Sequence, residues 1–389
     1  MSKLPRYGAK YHPQQAVKLV RAGHEFFDLL DQLIEQAQHT IHLQTYILAD
    51  DETGRRVVNA LIRAAKRNVS VYVIADGYAS QDLSDEFIQN LSAHGIYFRF
   101  FGSLLKSKYF YFGRRLHHKV FVVDGKHSLV GGINIGDHYN DTTLNVAWLD
   151  WAVYTVGPIS NTLERICEAR VRTTRKHSQH KKAADDVIED DKNAFQVRLR
   201  INDWVRRKRE ITSSYLEMLR HANSHITLIS SYFIPGNIMR KYLAKASARG
   251  VKIRVIVAGI SDVPVAKNAE RFMYRWLLRN NIEIYEYQPK VLHAKLTTYD
   301  GKWVSVGSYN FNNISEYASV ELNLDIQHEG FAKDVEARIA RIIKNDCIQI
   351  TESMYHQNQN LWNRFIQRSC YDIFRFLLFV FTFYFKQRD

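Results

Sequence analysis

The sequence predicts an α/β protein of two similar α/β/α lobes with mixed sheets, related by a pseudo-two-fold axis and sharing one active site at their interface. Three observations predict this: a segment repeated within the chain, β-branched runs separated by Ala/Arg/Lys-rich helical stretches, and an identically spaced polar motif in each copy. Runs of that kind alternating with amphipathic helices are the pattern of βαβ units in a helix-covered sheet.

The repeat comes first. From Ile41, IHLQTYILADDETGRRVVNALIRAAKRNVSVYVIADG reads as strand, loop, amphipathic helix and strand. From Ile226, ITLISSYFIPGNIMRKYLAKASARGVKIRVIVAG repeats that order, with Tyr232 opposite Tyr46 and Val251 to Val257 opposite Val69 to Ile74. Self-similarity of this length means that two copies of one unit stack. The expected division is a first lobe over 1–169, a charged connection over 170–195, a second lobe over 196–350 and a C-terminal tail over 351–389. The connection, with RTTRKHSQHKK followed by DDVIEDDK, is too poor in apolar residues to build a core and reads as solvated chain.

Composition bounds the partners. Of 389 residues, 46% are hydrophobic, which excludes wholesale disorder and suits two packed lobes. Lys and Arg number 54 against 40 Asp and Glu, a balance that attracts lipid headgroups or nucleic acid. Cys167, Cys347 and Cys370 are scattered and odd in number, so neither a disulfide framework nor a zinc site is indicated, and a reducing cytoplasm fits. The opening MSKLPRYGAKYHPQQ has no apolar run, so neither a cleaved secretion signal nor an N-terminal membrane span is expected.

The tail differs. Phe376 to Phe385, FLLFVFTFYF, lies between Arg375 and the basic pair Lys386 and Arg388. As a helix it covers about 15 Å, half of a hydrocarbon core of roughly 30 Å. It is too short to span, and its basic flanks suit an interfacial anchor. The plain alternative is a terminal helix or strand docked on the core.

Each lobe then carries the same constellation: His117, Lys119, Asp124, Gly131, Gly132 and Asn134 in the first, and His293, Lys295, Asp300, Gly307, Ser308 and Asn310 in the second. At ordinary residue frequencies such a set arises at a given start on the order of once per million positions, so two copies are not accidental. Strand alternation puts His117 with Lys119, and His293 with Lys295, on one face and turns Asp124 and Asp300 to the other. Attack on a phosphodiester concentrates negative charge on phosphoryl oxygens, and Lys119, Lys295, Asn134 and Asn310 supply cations and amides to meet it. The glycines admit close backbone approach, and no metal or cofactor is required.

Two imidazoles complete the chemistry. One forms the bond to phosphorus while the other protonates the leaving alkoxide and later deprotonates the incoming alcohol or water. Each needs a partner on its second nitrogen, and Asp150 in WLDWAVYTVGP and Glu321 in SVELNLDIQ are downstream acids on strand-like segments that suit the task, with an ordinary strand carboxylate as the plain alternative for each.

These paired HxKxxxxD...G[GS]xN motifs resemble the phospholipase D superfamily, and the resemblance covers both lobes. Within it the chain is similar to bacterial cardiolipin synthases, in the form lacking N-terminal membrane spans. QTYILADDETGRR, INIGDHYN, NDWVRRKREI, SSYFIPG, DVPVAKNAERFMYRWLL and IEIYEYQPKVLHAK carry this narrower match. The resemblance implies one motif histidine as nucleophile and the other as acid and base, with Asp150 and Glu321 orienting them. His117 is taken as nucleophile and His293 as acid/base, although the near symmetry leaves the reverse open. The chain departs from itself at one point, Gly132 standing where the second motif has Ser308, and that unequal pair fits a division of labour.

The implied activity moves a phosphatidyl group from phosphatidylglycerol or a related phospholipid to a second glycerophospholipid through a phosphohistidine, giving cardiolipin. Phosphatidylethanolamine is a further candidate substrate. The expected place is the cytoplasmic face of the cell membrane, held peripherally or monotopically through the tail at an anionic surface. LLKSKYFYFGRR, Leu104 to Arg115, is a basic aromatic stretch that suits the same surface, the plain alternative being a solvated loop with a partly packed aromatic cluster. Two motifs in one chain mean that an oligomer is not required. Rival readings are a phospholipase D-type hydrolase, a metal-independent nuclease, disfavoured by the apolar tail, and a non-enzymatic binder, which leaves both motifs unexplained.

Overall fold

The apolar runs opening each repeat become the central parallel strands of two sheets. The computed structural model describes residues 10–102, 114–143, 145–171, 194–312, 315, 319–357 and 359–386, with side chains described as far as residue 376 in the final helix. The aromatic stretch 104–113 and nearly all of the connection 170–195 lie outside the described residues.

In chain order the first part contains β1 (His12–Gln14), β2 (Ala16–Arg21), α1 (His24–Gln36), β3 (Thr40–Thr45), α2 (Glu52–Lys66), β4 (Ser70–Asp76), α3 (Asp85–Ala93) and β5 (Tyr97–Phe101). It continues with β6 (Arg115–Leu116), β7 (Lys119–Val123), β8 (His127–Gly131), β9 (Trp151–Val156) and α4 (Pro158–Val171). The second part has β10 (Phe195–Asp203), β11 (Lys208–Arg209), α5 (Glu210–His221), β12 (His225–Ile229), α6 (Asn237–Ala248), β13 (Lys252–Ala258), α7 (Pro264–Arg279) and β14 (Ile282–Tyr287). It ends with β15 (Leu296–Tyr299), β16 (Trp303–Gly307), β17 (Ser319–Gln327), α8 (Glu329–Asp346), β18 (Cys347–Gln349), α9 (Glu352–Gln357) and α10 (Leu361–Lys386).

Both sheets are mixed and built alike. In the first, the order is β2, β9, β8, β7, β3, β4, β5, with β3, β4 and β5 parallel and β7 to β9 antiparallel. The second repeats this as β10, β17, β16, β15, β12, β13, β14, extended by β1 at one edge and β18 at the other. The α/β class and the repeated halves are therefore as the sequence predicts. Two strand pairings cross the expected boundary: β1, from the N-terminal segment, pairs antiparallel with β10 of the second sheet, and β6 pairs in parallel with β17.

Local chemistry sets the joints. Asp51 caps α2 by accepting from the Gly54 amide at 2.8 Å, while Arg63 and Lys66 occupy the last turn, where the helix dipole favours cations. The β7–β8 and β15–β16 hairpins turn on Asp124-Gly125 and Asp300-Gly301, with φ of 52° and 62° in the first and 51° and 61° in the second. Consecutive left-handed residues give a turn whose twist matches the strands, and Asp-Gly is the pair that adopts it most readily.

Apolar layers follow from the alternation. One cluster packs α1 and α2 on the outer face of the first sheet, and another packs α5 and α6 on the second. Between them a single cluster joins Val120, Val130 and Val153 of the first lobe to Leu296, Val304 and Leu324 of the second, with α4 and α8 contributing Leu163 and Val335. A continuous apolar seam of this kind fixes the lobes against one another, unlike a polar interface that permits relative motion.

Candidate active site

The chain segments entering both motifs leave their own sheets and dock on the opposite lobe. β6 pairs in parallel with the start of β17, and the His117 and His118 amides both donate to the Val320 carbonyl at 3.1 Å. In the reciprocal contact the Leu149 amide donates to Val291 O at 3.0 Å and the His293 amide to Leu149 O at 2.9 Å. Each motif histidine thus hangs from the backbone of the other lobe, at the seam.

Their partners are exchanged in the same way. His117 Nδ1 is 2.9 Å from Glu321 Oε2, and His293 Nδ1 is 2.7 Å from Asp150 Oδ2. Both acids are fully buried. Engaging Nδ1 fixes each ring and leaves Nε2 as the nitrogen available for chemistry. Aromatic walls hold the rings further: Tyr46 stands edge-on to His117 at 4.9 Å, and Tyr139 edge-on to His293 at 5.2 Å with Trp148 at 6.1 Å. The neighbouring His118 turns away to Gln44 Oε1 at 2.9 Å, and burial drives its pKa well below the usual value.

The lysines share the site. Lys119 Nζ donates to His117 O at 2.6 Å and lies 5.0 Å above the Tyr46 ring, while Lys295 Nζ donates to Ser231 Oγ at 2.8 Å and to His293 O. Burial lowers Lys119 to about 7, with the charge of Lys295 adding to the effect, and burial lowers Lys295 to about 8. A phosphodiester anion beside them favours the charged form of both.

Other motif residues serve elsewhere. Asp124 accepts from the amides of Gln38, His39 and Thr40 at 2.9, 2.8 and 2.7 Å, and Asp300 does the same for Asn223, Ser224 and His225, each at 2.9 Å. These two acids tie each hairpin turn to the chain leading into its central strand, away from the imidazoles. The motif pattern points to Asn134 as an amide donor to phosphate; in the structure its carboxamide accepts from Ile47 N at 3.0 Å and donates to the Tyr139 hydroxyl at 2.8 Å. It therefore holds the ring that walls His293. Asn310 Oδ1 accepts from Ser230 Oγ at 3.5 Å, and the Asn310 amide donates to Ser315 Oγ at 3.2 Å.

Gly132 and Ser308 make the two halves unequal. A Cβ at Gly132 would lie 2.5 and 2.6 Å from the carboxylate oxygens of Asp150, so glycine is what admits that acid. In the second half Ser308 Oγ donates to Glu321 Oε2, and Ser319 Oγ donates to Oε1 at 2.8 Å. Burial alone would raise Glu321, but His117 and Ser308 bring it below the usual carboxylate range. Asp150 keeps one backbone donor, the Trp151 amide at 2.7 Å, and burial raises it to about 7. Burial lowers His117 against the pull of Glu321, and lowers His293 much further, with Lys295 and Lys119 adding to it.

Tyr139, Trp148, Ser231 and Ser319 entered the site without being singled out from sequence. Tyr139 lies in INIGDHYN, Ser231 in SSYFIPG and Ser319 at the start of SVELNLDIQ, but none of the four has a position in the repeated motif that marks it.

Paired lobes, two carboxylate-held imidazoles and two buried lysines define an enzyme of the phospholipase D class, built to act on phosphodiesters. The comparisons place it more narrowly. A family model described as "Cardiolipin synthase, PLD-like domain" matches residues 30–167 and 215–343, and the chain belongs to that family. Cardiolipin synthase B of Salmonella typhimurium (strain LT2) is 33% identical over 356 residues, covering 89% of this chain and 84% of that protein. Its Escherichia coli (strain K12) counterpart is 30% identical over 359 residues, with the same coverage. In fold, phosphatidylserine synthase of Haemophilus influenzae Rd KW20 superposes with a TM-score of 0.74 at 13% identity, covering 95% of both chains. The protein is a phosphatidyltransferase of the phospholipase D superfamily that acts on phospholipids.

Proposed function

We propose that this enzyme makes cardiolipin by a two-step transfer through a phosphohistidine on His117, with His293 carrying the proton. The observation that carries the proposal is the exchanged pair of imidazole–carboxylate contacts at 2.9 and 2.7 Å across the seam. The unequal carboxylates support the direction. Glu321, kept ionised by its contact with His117 and by the Ser308 hydroxyl, orients His117 through Nδ1 and leaves Nε2 nucleophilic. The His293–Asp150 pair, with Asp150 raised to about 7, retains a proton that can be passed to a leaving group.

In the first step His117 Nε2 attacks phosphorus, the bond from phosphorus to the headgroup oxygen breaks, and His293 protonates that oxygen. In the second, His293 takes the proton of an incoming lipid hydroxyl, that oxygen attacks phosphorus, and the P–N bond breaks to restore His117. Lys119 and Lys295 hold the phosphoryl oxygens throughout. With phosphatidylglycerol in both roles the products are cardiolipin and glycerol.

The lobes over 1–169 and 196–350, the connection over 170–195 and the tail over 351–389 belong to the same proposal, with one chain sufficient for the site. The tail is assigned to the cytoplasmic membrane surface. Leu361, Trp362, Phe365, Ile373 and Phe376 of α10 are exposed at helical spacing, while Tyr371 packs on Ala269 and Met273 of α7. Among the described residues no helix is long and apolar enough to cross a membrane.

Purified protein incubated without added metal with phosphatidylglycerol vesicles, with and without phosphatidylethanolamine, tests the activity. Cardiolipin is the expected product; phosphatidic acid alone points to a hydrolase, and cleavage of labelled single-stranded DNA with inert lipid to a nuclease. His117→Ala and His293→Ala should each abolish transfer. With a phosphatidyl p-nitrophenyl ester, whose leaving group needs no proton, only His293→Ala should accumulate a phosphoenzyme. Accumulation in His117→Ala instead reverses the assignment.

A further inference from the structure

The two lobes differ in what faces the tyrosine that follows the first strand of each repeat. In the first, Tyr46 lies beside His117, and the nearby Asp76 is spent on backbone, accepting from Tyr78 N at 3.0 Å, Ala79 N at 3.2 Å and Leu116 N at 2.8 Å. In the second, the Tyr232 hydroxyl donates to Asp262 Oδ1 at 2.6 Å. Burial and the charge of Asp262 raise the Tyr232 pKa, so the hydroxyl stays protonated and remains a donor. Asp262 itself is exposed, between the exposed Ile260 and Val263. Among the described residues its hydrogen bond is to Tyr232 alone, which leaves Oδ2 as an acceptor.

Position gives that acceptor a meaning. Tyr232 adjoins Ser231, whose hydroxyl accepts from Lys295 Nζ at 2.8 Å, so the Tyr232–Asp262 pair stands beside the second-motif half of the site, and the Asp262 charge is felt by Lys295 and by Tyr139, the ring packed against His293. A carboxylate here cannot serve to bind phosphate, which it repels. It suits the part of the lipid that carries hydrogen-bond donors. In the proposed mechanism that part, the headgroup, leaves from and returns to the His293 side, because His293 exchanges the proton with its oxygen.

We infer that Asp262, aimed by Tyr232, accepts a hydrogen bond from the headgroup on the His293 side, a glycerol hydroxyl or an ethanolamine ammonium, and so selects lipids whose headgroups bear donors. The inference rests on the assignment of His293 as proton carrier. Asp262 binds substrate, and Tyr232 is a positioning residue. A hydrogen bond to a charged group contributes about 1.5–3 kcal/mol, or roughly 10- to 150-fold in kcat/KM.

The test compares the full chain with Asp262→Ala, Asp262→Asn and Tyr232→Phe on three substrates: phosphatidylglycerol vesicles, phosphatidylglycerol mixed with phosphatidylethanolamine, and bis(p-nitrophenyl) phosphate, whose leaving group has no donor. Asp262→Ala should lose roughly 10- to 150-fold in kcat/KM on phosphatidylglycerol, mainly through KM, and at least tenfold less on the chromogenic ester. The carboxamide of Asp262→Asn still accepts from a hydroxyl but does not attract an ammonium. Glycerol release should therefore survive better than ethanolamine release. Tyr232→Phe should fall between wild type and Asp262→Ala on lipid. Equal losses of Asp262→Ala on lipid and ester, or lipid turnover within about threefold of wild type, overturn the headgroup assignment while leaving the transferase reading intact. A wild-type protein that makes no cardiolipin sinks that reading instead.

Discussion

Replacing Gly132 with serine, the residue its counterpart Ser308 already is, tests whether the two halves are built for different carboxylates. A Cβ at position 132 would meet Asp150 Oδ1 at 2.5 Å and Oδ2 at 2.6 Å. Ordinary contact is about 3.5 Å, so the carboxylate must retreat by about 1 Å. The 2.7 Å bond to His293 then stretches to about 3.7 Å, beyond hydrogen-bond length.

A displacement of that size in a catalytic constellation costs on the order of a hundredfold in rate. Gly132→Ser should therefore cut cardiolipin formation about a hundredfold, with a modest drop in thermal midpoint. The second lobe shows the cure, since Ser308 coexists with the longer Glu321, whose extra methylene carries the carboxylate past the hydroxyl. Gly132→Ser combined with Asp150→Glu should recover at least tenfold of the loss, an interaction that independent sites would not show. Transfer kinetics on phosphatidylglycerol vesicles with calorimetric melts read both effects. Wild-type rates in Gly132→Ser, or no recovery in a folded double variant, would refute the argument.

Two other perturbations bear on charge and on the tail. Lys119, lowered to about 7 in the fold from 10.5, costs stability fully below pH 7, and the cost fades as pH rises toward 10.5 because only the unfolded chain then holds the proton. Lys119→Met should thus be inactive yet more stable than wild type by a few kcal/mol at pH 7, with the gain shrinking by pH 10; a pH-independent difference in denaturant melts would contradict this. Deleting residues 377–389 should weaken sedimentation with phosphatidylglycerol vesicles and spare the melt, because Tyr371 and Phe374 remain packed on α7. Deletion from Leu361 should lower both, and unchanged sedimentation in the shorter deletion would count against the tail as an anchor.

Strand alternation led to the right separation of His117 and Lys119 from Asp124 by an incomplete route. Lys119 opens β7, but His117 lies in the connection before it, and Asp124 is in a left-handed turn where alternation no longer applies. His293 and Lys295 likewise precede β15. The motif spacing carried the information because it measures a whole unit, entry segment, strand and turn, and not a strand alone. Asn134 shows the opposite case: the motif marks the residue, but the atoms its carboxamide meets, Ile47 N and Tyr139 OH, come from segments whose approach the motif does not encode.

By itself the sequence determined the α/β class, the doubling of the unit and the two motif sets, because each is written in local period or in repeat register, whereas Asp150 and Glu321 stand at different distances from their motifs and are singled out through the family resemblance. Only the tertiary structure decided that the acids are exchanged, Glu321 serving His117 and Asp150 serving His293, since that depends on β6 docking onto β17 and Leu149 onto Val291 across the seam. It also decided why Gly132 and Ser308 differ. The reason is packing: which carboxylate fits depends on the few ångströms left between two strands, a distance no pattern along one chain records.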